Sequence, residues 1–519
     1  MLRGILTVGV WTLASRILGF ARDMLVAAMM GAGPVADAFF VALKLPNLFR
    51  RLFGEGAFNA AFVPAFAATL AGDGPAAARQ LAERMASLMA IWLTGLTVLG
   101  LVFMPQVLAV LAPGFGDDPL RWTYAVEMTR ITFPYLLFIC LTALVSGVLN
   151  GLGRFGAAAA APVLFNVFAM AALLGLTPHV STPGHAQSWG VMLSGIAQLA
   201  LVWIAAARAG MPLYPRLPRL DPGVRAVLRR MVPGVLGAGV TQLNLAVDVI
   251  IASLLPAGAV SYLYYADRVA QLPLGVVGAA VGTALLPLLA RQFRARQPLS
   301  AHRTLNRALE FSLALTLPAA VAQWIAADAI VTALFQRGAF GAEAARATAD
   351  ALAAYSLGLP AFVLVKAFAP CFFARGDTAT PVRIGIGVVV LNLLLNLLLT
   401  QFLAHVGIAL ATGIAAWVNV AVLAMLLHRR GAWRADRRLR QALPRMLLAN
   451  LLMAAVVWAA ELALFRTGWL PGGRLASLAL LIMAGMGTYF GAAHWLGALD
   501  LRELRRLRRR RAGPAAAQP

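Results

Sequence analysis

Charged side chains that could hold an anion stand in the first two apolar stretches of the sequence. Arg16 and Asp23 are seven residues apart, so they lie on nearly one face of a helix, with Arg22 about a quarter-turn away. The second stretch carries Asp37. Because Arg binds phosphate through a planar bidentate fork, this group predicts an anionic ligand such as a diphosphate. The second stretch adds further polar residues at helical spacings, namely Lys44, Asn47, Arg50, Arg51 and Glu55.

The position of these charges within apolar stretches is itself informative. A Lys or Arg at the centre of a membrane helix costs about 2.5–3.5 kcal/mol on insertion scales. Arg16, Arg22 and Arg268 lie deep in their stretches, and Arg50 stands close to Pro46. We therefore expect these arginines to face a polar cavity. The alternative is that they form inter-helix ion pairs that lock a closed state, and a transporter that closes over its ligand could use both.

A second, weaker set of polar side chains predicts a site for a coupling ion. It consists of Asp248, Asn392, Asn396 and Thr412, and the two asparagines stand four residues apart on one predicted helix. Carboxylate, amide and hydroxyl oxygens could hold Na⁺, or Asp248 could carry a proton. The alternative is that the asparagines form hydrogen bonds between helices.

Signatures of an enzyme are poor. The adjacent acids Asp117 and Asp118 stand in a PGFGDDP turn, and the six histidines are scattered without metal-ligand spacing. No GxxxxGK[ST] loop is present, so ATP is not an evident energy source. Cys140 and Cys371 lie in apolar runs, which makes a disulfide framework implausible. We predict a transporter without catalytic residues, cofactor or definite metal site, in which Na⁺, H⁺ or the membrane potential supplies direction.

Membrane helices must position these residues. Of the 519 residues, 61% are hydrophobic and 12% are charged, whereas average chains carry about 25% charged residues. Fourteen apolar stretches of helical period are long enough to cross a bilayer, which predicts an all-α integral membrane protein with 14 transmembrane helices. The predicted spans are 5–31, 35–66, 85–112, 128–150, 157–178, 189–207, 231–255, 259–290, 309–335, 351–374, 382–404, 406–427, 446–465 and 475–499.

The net charge of +24 would ordinarily suggest a nucleic-acid partner, but the distribution of the cations explains it differently. When the connections are numbered alternately, 31 cations fall on the side of both termini and five on the other side. By the positive-inside rule both termini are cytoplasmic, which agrees with an even number of spans. The arginine run within 501–511 suits anionic membrane lipid. No nucleic-acid partner is predicted.

An internal repeat divides the predicted spans into two halves. Pro46 recurs as Pro273 at an offset of 227 residues, and Pro134 recurs as Pro360 at 226. Six helices fit each period, so the halves form two pseudo-symmetric lobes of the same orientation, and in such transporters the substrate lies between the halves. The predicted domains are an N-lobe at 1–210, a C-lobe at 211–430, two extra C-terminal helices at 431–500 and a basic cytoplasmic tail at 501–519.

Five motifs stand in order through the first twelve predicted helices. They are 15–23 (SRILGFARD), 36–66 (ADAFFVALKLPNLFRRLFGEGAFNAAFVPAF), 112–115 (APGF), 264–287 (YYADRVAQLPLGVVGAAVGTALLP) and 369–381 (APCFFARGDTATP). These motifs resemble the MurJ (MviN) family of bacterial lipid II flippases. The resemblance implies a fold of the multidrug/oligosaccharidyl-lipid/polysaccharide exporter superfamily, in which two six-helix lobes enclose a V-shaped cationic cavity and the last two helices form a groove for the undecaprenyl tail.

The same resemblance assigns roles to individual residues. The substrate-binding residues that it implies are Arg16, Arg22, Asp23, Asp37, Arg50 and Arg268. The set Asp248, Asn392, Asn396 and Thr412 looks like a cation site of the family. Asn396 replaces a possible carboxylate of that site, which weakens ion coupling here.

The function implied by the resemblance is flipping of lipid II, the undecaprenyl-diphosphate-linked disaccharide-pentapeptide, from the cytoplasmic to the periplasmic leaflet by alternating access. This step would serve peptidoglycan biosynthesis, cell-wall biogenesis and cell shape. The expected location is the bacterial cytoplasmic (inner) membrane, and the expected partners are lipid II, membrane lipids and the cell-wall synthesis machinery. The alternative is an exporter of another polyprenyl-diphosphate-linked oligosaccharide. An exporter of cationic drugs fits less well, because its pocket should be acidic.

Overall fold

The structure is a computed structural model that describes residues 2–51, 57–217, 219–466 and 473–498. All regular structure in these ranges is helical, which confirms the all-α prediction. The helices are α1 (Leu2–Met30), α2 (Pro34–Phe49), α3 (Ala57–Gly72), α4 (Gly74–Val102), α5 (Met104–Leu111), α6 (Pro119–Thr132), α7 (Tyr135–Gly151), α8 (Phe155–Leu176), α9 (Pro183–Arg208), α10 (Pro222–Ser253), α11 (Ala259–Arg294), α12 (Pro298–Ile325), α13 (Ala327–Phe335), α14 (Ala342–Ala374), α15 (Ala379–Arg429), α16 (Arg437–Glu461) and α17 (Gly473–Trp495).

Several helices begin at an acidic capping residue. Asp118, Asp221 and Asp436 each accept hydrogen bonds from backbone N–H groups in the first turn of α6, α10 and α16. Such caps satisfy donors that have no partner within the helix. Pro119 and Pro222 follow two of them at the first helical position, where a missing N–H costs nothing.

Nine helical segments in the described ranges are long and apolar enough to cross a membrane, and the count of fourteen spans stays a prediction. The second predicted span, 35–66, contains α2 and α3, and its residues 52–56, including Glu55, lie outside the described ranges, as does the predicted basic tail. The eleventh and twelfth predicted spans both fall in α15. Its backbone leaves helical geometry at Ala404 (φ 45°, ψ −128°), where those two predicted spans meet.

The described chain divides into two compact units. The first lies within Met1–Tyr264 and Phe335–Ala344, and the second within Tyr265–Leu334 and Ala345–Pro519. This division follows packing and not the number of helices, so the lobes at 1–210 and 211–430 stay predictions. Each unit has its own apolar core, built on aromatic and branched side chains such as Phe62 and Phe66 in the first and Phe368 and Phe372 in the second.

Small residues let the helices approach closely. In the first unit, a Cβ added at Gly190 of α9 would lie 2.7 Å from the Cβ of Ala172 on α8. Large apolar side chains such as Trp92, Leu99 and Trp458 are exposed on the outer helix surfaces. A surface with so many exposed apolar side chains is that of a protein that lies in lipid.

Candidate functional site

A small cavity in the first unit collects the charged pair that the sequence singled out. The space in it that the centre of a water molecule can occupy is about 10 Å³, so the cavity has room for about one water molecule. Arg22 and Asp23 of α1 meet there with side chains from α2, α8, α9 and the start of α11. The residues that line it are Arg22, Asp23, Val26, Phe39, Phe40, Leu43, Phe165, Gln187 and Tyr264.

Arg22 and Asp23 form a buried ion pair with defined geometry. Nη2 of Arg22 donates to Oδ1 of Asp23 at 2.6 Å, and Nε donates to the same oxygen at 3.2 Å. The two residues are only 5% and 3% exposed, so both charges depend on each other inside the protein. Asp23 therefore engages one edge of the guanidinium, whose five N–H donors exceed what one carboxylate oxygen can accept.

Aromatic side chains hold this pair in place. The guanidinium of Arg22 lies over the ring of Phe165, with 5.0 Å between its central carbon and the ring centroid. Tyr264 stacks on Phe40 at a centroid distance of 3.8 Å and brings its hydroxyl to 3.5 Å from Oδ1 of Asp23. Cation–π contact and stacking restrict the rotamers of a long side chain, so Arg22 presents its charge to the cavity from a fixed position.

The other predicted arginines are not among the residues that line this small cavity. Arg16 is an exposed residue of α1, and Arg50 is half-buried after the end of α2, where its Nε donates to Oδ1 of Asn47 at 3.2 Å. Neither lines the cavity. Arg268 is half-buried on α11 in the second unit. Their role in holding a ligand stays a prediction.

Asp37 lies in the first unit and has a different environment from Asp23. It is fully buried, and its carboxylate accepts hydrogen bonds from the N–H of Gly258 at 2.7 Å and from the N–H and hydroxyl of Ser261 at 2.8 and 2.5 Å. Nη2 of Arg121 lies 3.3 Å from Oδ2. The protein itself supplies four donors to the Asp37 carboxylate, and those of Gly258 and Ser261 fasten the start of α11 to α2. Asp37 does not line the cavity.

Sequence reasoning missed several residues of these sites. Arg121 is one of the five cations that were counted on the side opposite the termini, yet it is 4% exposed and its guanidinium lies 4.1 Å over the ring of Phe115. Phe165 and Gln187 line the cavity without having been singled out, and Tyr264 was noted only as the first residue of a motif. A lone Gln or Phe in an apolar helix gives no signal that it faces an arginine on another helix.

The predicted coupling-ion residues are divided between the two units. Asp248 is half-buried on α10 in the first unit. Asn392 and Asn396 are fully buried on α15 in the second unit, where the hydroxyl of Thr412 donates to the backbone carbonyl of Ile408 at 2.9 Å. Among the described residues, no group of three or more His, Cys, Asp or Glu side chains could hold a metal ion. An ion site built on these asparagines stays a prediction.

Lys366 is a further cation within an apolar helix. It stands on α14 in the second unit, and its side chain passes over Gly278 of α11, where an added Cβ would lie 2.9 Å from Nζ. A side chain at this position would displace the flexible end of Lys366. The second unit thus also carries a cation on an apolar helix.

The helices are apolar and expose lipophilic surfaces, and a buried arginine–aspartate pair lies on an internal cavity. These features define a multi-pass membrane protein of the transporter class. The chain belongs to the MurJ family, since the family model described as "Lipid II flippase MurJ" matches residues 26–480. The resemblance predicted from the motifs is therefore confirmed.

Relatives match along nearly the whole chain. A probable lipid II flippase MurJ of Rhizobium tropici is 42% identical over 99% of this chain and 98% of its own length, and one of Rhizobium meliloti is 44% identical over 99% and 97%. The lipid II flippase MurJ of Burkholderia cenocepacia is 36% identical over 96% and 98%.

Solved structures show the same fold. A structure titled "Lipid II flippase MurJ, inward closed conformation" matches with a TM-score of 0.76 at 24% identity, covering 94% of this chain and 97% of the other. An inward-facing multidrug resistance MATE transporter of the MOP superfamily matches with a TM-score of 0.65 at 14% identity, covering 80% and 95%. These likenesses show that the chain shares the fold of these membrane proteins.

Proposed function

We propose that the protein is a lipid II flippase. It moves the undecaprenyl-diphosphate-linked disaccharide-pentapeptide from the cytoplasmic to the periplasmic leaflet by alternating access, for peptidoglycan synthesis. Membership of the MurJ family over residues 26–480 is the observation that carries this proposal, and the buried Arg22 beside Asp23 supports it. The alternative, an exporter of another polyprenyl-diphosphate-linked oligosaccharide, is not favoured by the names of the relatives.

The chemistry required is recognition and release, without covalent steps. In the described state Asp23 neutralises Arg22, which keeps a buried guanidinium from standing alone. A diphosphate offers several oxygens to the donors of Arg22 that Asp23 does not engage, through charge-assisted hydrogen bonds. We assign the same ligand group to Arg16, Arg50 and Arg268, because the resemblance to the family motifs implies this role for them.

Direction requires an energy source, which we assign to an ion gradient or the membrane potential. Asp248, Asn392, Asn396 and Thr412 offer oxygen ligands of the kind that Na⁺ takes, and Asp248 could instead bind a proton. If coupling runs through this set, the variant Asp248→Asn loses the ion dependence of transport. Unchanged activity and unchanged ion dependence of this variant would exclude the set as the coupling site.

We place the protein in the bacterial inner membrane with both termini in the cytoplasm, because most cations of the connections lie on that side. Lipid II is its substrate partner, membrane lipids surround it, and the enzymes that make and use lipid II are the expected neighbours. A reporter fused after residue 519 should be active only in the cytoplasm. Periplasmic activity of that reporter would reverse the orientation.

Reconstitution tests the substrate directly. Purified protein is placed in vesicles that hold either lipid II or a polyprenyl diphosphate with a different glycan, and the fraction of each lipid that becomes accessible from the opposite leaflet is measured. Lipid II should cross faster than in protein-free vesicles, and faster than the other glycan. Equal rates for both lipids would favour the alternative exporter, and no acceleration of either would reject flipping.

A further inference from the structure

The connection between α9 and α10 is an irregular strap, defined here as residues 211–221, that is fixed to α4. The structure describes it apart from residue 218 and shows neither helix nor strand in it. Glu83 of α4 is 1% exposed and accepts a hydrogen bond from the N–H of Tyr214 at 3.2 Å, and Nε of Arg216 lies 2.6 Å from its other oxygen. Ser87 accepts from the N–H of Arg216 at 3.0 Å. These bonds hold the strap in one position on the first unit.

The strap presents several apolar side chains on its exposed surface. Tyr214, Leu217 and Leu220 are 60%, 82% and 59% exposed. They recur every third residue, and in the sequence the prolines at 212, 215 and 218 recur with the same period. Three residues per turn is the period of a polyproline II helix, so a chain of this type carries the three apolar side chains on one edge. Exposed leucines of this kind fit a lipid surface better than water.

A cationic cleft adjoins the end of the strap. Its volume is about 510 Å³, and it is lined by Leu220, Pro222, Arg225, Ala226, Arg229 and Arg230. The three arginines are exposed residues of the first turns of α10. In the part of the chain that the structure describes, none of them forms an ion pair with a carboxylate.

The nearest acid does not neutralise this cleft. Asp221 caps α10 by accepting from the N–H of Val224 at 2.7 Å, and it also forms an ion pair with Arg84. Burial would raise the pKa of Asp221, but the hydrogen bonds from Val224 and Arg84 outweigh that effect and lower it. The acid is therefore ionised and already occupied, which leaves the cleft with the charge of three guanidiniums and the positive end of a helix.

We propose that this cleft is a binding site for the phosphate of an anionic phospholipid in the cytoplasmic leaflet, with the apolar edge of the strap entering the same leaflet. Guanidinium groups bind phosphate oxygens in a bidentate manner. The positive-inside distribution places residues 208–230 on the cytoplasmic side, where anionic lipid attracts basic segments. A soluble anion would make no use of Leu220 in the cleft or of the exposed Leu217 on the strap. The bound lipid anchors the start of α10 at the membrane surface.

The test compares two triple variants of the full-length protein that remove equal charge. The cleft variant removes the charge of the cleft and carries Arg225→Gln, Arg229→Gln and Arg230→Gln. The control variant alters exposed arginines outside the cleft on the same predicted side, and carries Arg291→Gln, Arg294→Gln and Arg303→Gln. Dioleoylphosphatidylglycerol is titrated onto detergent-solubilised protein, and lipid adducts are counted by native mass spectrometry, with dioleoylphosphatidylcholine as the neutral reference.

The cleft variant should weaken the tightest phosphatidylglycerol site more than tenfold, since each arginine near the surface contributes about fivefold, and the control should change it less than twofold. Equal losses in both variants would overturn the proposal, because diffuse charge would then explain the binding. If the cleft variant fails to fold, the single variant Arg229→Gln takes its place, with an expected loss of affinity of about fivefold. Added salt should also weaken the binding of phosphatidylglycerol to the wild type.

Two further ligands identify what occupies the cleft. Glycerophosphoglycerol, the head group without acyl chains, should bind at least tenfold more weakly than the intact lipid. Equal binding of both would show a site for soluble anions and reject lipid docking. The second ligand is an isoprenyl diphosphate. If the cleft variant loses affinity for it and keeps its affinity for phosphatidylglycerol, the cleft belongs to the transport substrate and the proposal is wrong. Because flipping of lipid II is measured separately, failure here leaves the proposed function untouched.

Discussion

Two buried arginine–carboxylate pairs in the first unit have opposite surroundings. Asp37 accepts from two backbone N–H groups, one hydroxyl and Arg121, whereas Asp23 pairs with Arg22 beside a cavity lined by aromatic rings. The carboxylate of the first pair is saturated by the protein, although Nε of Arg121 has no hydrogen-bond partner in the described structure, whereas the second pair has a small space next to it. A buried ion pair is therefore a ligand site only where its donors exceed its protein acceptors and space adjoins them.

The largest effect on stability should come from the saturated pair. Asp37→Asn leaves Arg121 buried without its countercharge and should lower the free energy of unfolding by about 3 kcal/mol or more. Asp23→Asn, whose site is partly open, should lower it by less than half as much. Thermal unfolding of the purified variants in detergent measures both. A larger loss for Asp23→Asn would reverse the distinction between the two pairs.

Ligand binding should depend on the open pair. Arg22→Lys keeps the positive charge beside Asp23 but loses the planar fork, so the affinity for lipid II should fall between about tenfold and a hundredfold, the loss of one charged hydrogen bond. The exposed Arg154 serves as the control, and Arg154→Lys should leave the affinity unchanged. Titration of purified protein with lipid II gives the constants. An unaltered affinity of Arg22→Lys would remove Arg22 from the binding site.

Gln187 and Gln198 form a matched pair on α9, because both are buried and each has a polar atom without a hydrogen-bond partner in the described structure. Only Gln187 of these two lines the cavity. Replacement of either by Leu should stabilise the protein by about 1 kcal/mol, since an unsatisfied polar group leaves the interior. Gln187→Leu alone should weaken lipid II binding several-fold. Equal binding by both variants would show that the cavity does not receive the head group.

The smallest effect is expected at an exposed ion pair. Arg430 and Thr380 donate to Asp377 and lower the pKa of that carboxyl to about 2. Any stability from this shift is present above about pH 4, the pKa of an unfolded Asp, and is lost as the pH falls through about 2. Asp377→Asn should therefore change the melting temperature little at pH 7, and the small difference should vanish near pH 2. A difference in melting temperature that grows as the pH falls would contradict this direction.

Part of the fold and site could be predicted because the signal is local. The apolar stretches predicted helices, and the adjacent Arg22 and Asp23 are a pair in sequence as well as in space. Asp37 and Arg121 are 84 positions apart, and Asp23 and Tyr264 are 241 apart. Such partners meet only through packing of distant helices, so the sequence assigned Asp37 to a ligand and Arg121 to membrane orientation without showing their contact.

The strap shows the same limit from the other direction. The arginines of the adjoining cleft, Arg225, Arg229 and Arg230, were counted among the cations on the side of both termini, and membrane orientation does explain why they stand on one side. Their grouping in one cleft with Leu220 became visible only in the structure, where Glu83 and Ser87 hold the strap in place. Charges counted along a sequence predict which side of the membrane a connection faces. A binding site can be recognised only from the positions of the side chains.

The most direct test of the central claim is the exposure of lipid II in cells that depend on this protein for growth. The protein is depleted while a plasmid supplies wild type, Arg22→Ala or Arg154→Ala, and lipid II accessible from the periplasm is measured. Wild type and Arg154→Ala should maintain exposure, whereas Arg22→Ala and the empty plasmid should leave lipid II on the cytoplasmic leaflet. Normal exposure in the depleted cells with the empty plasmid would contradict the assignment as their lipid II flippase.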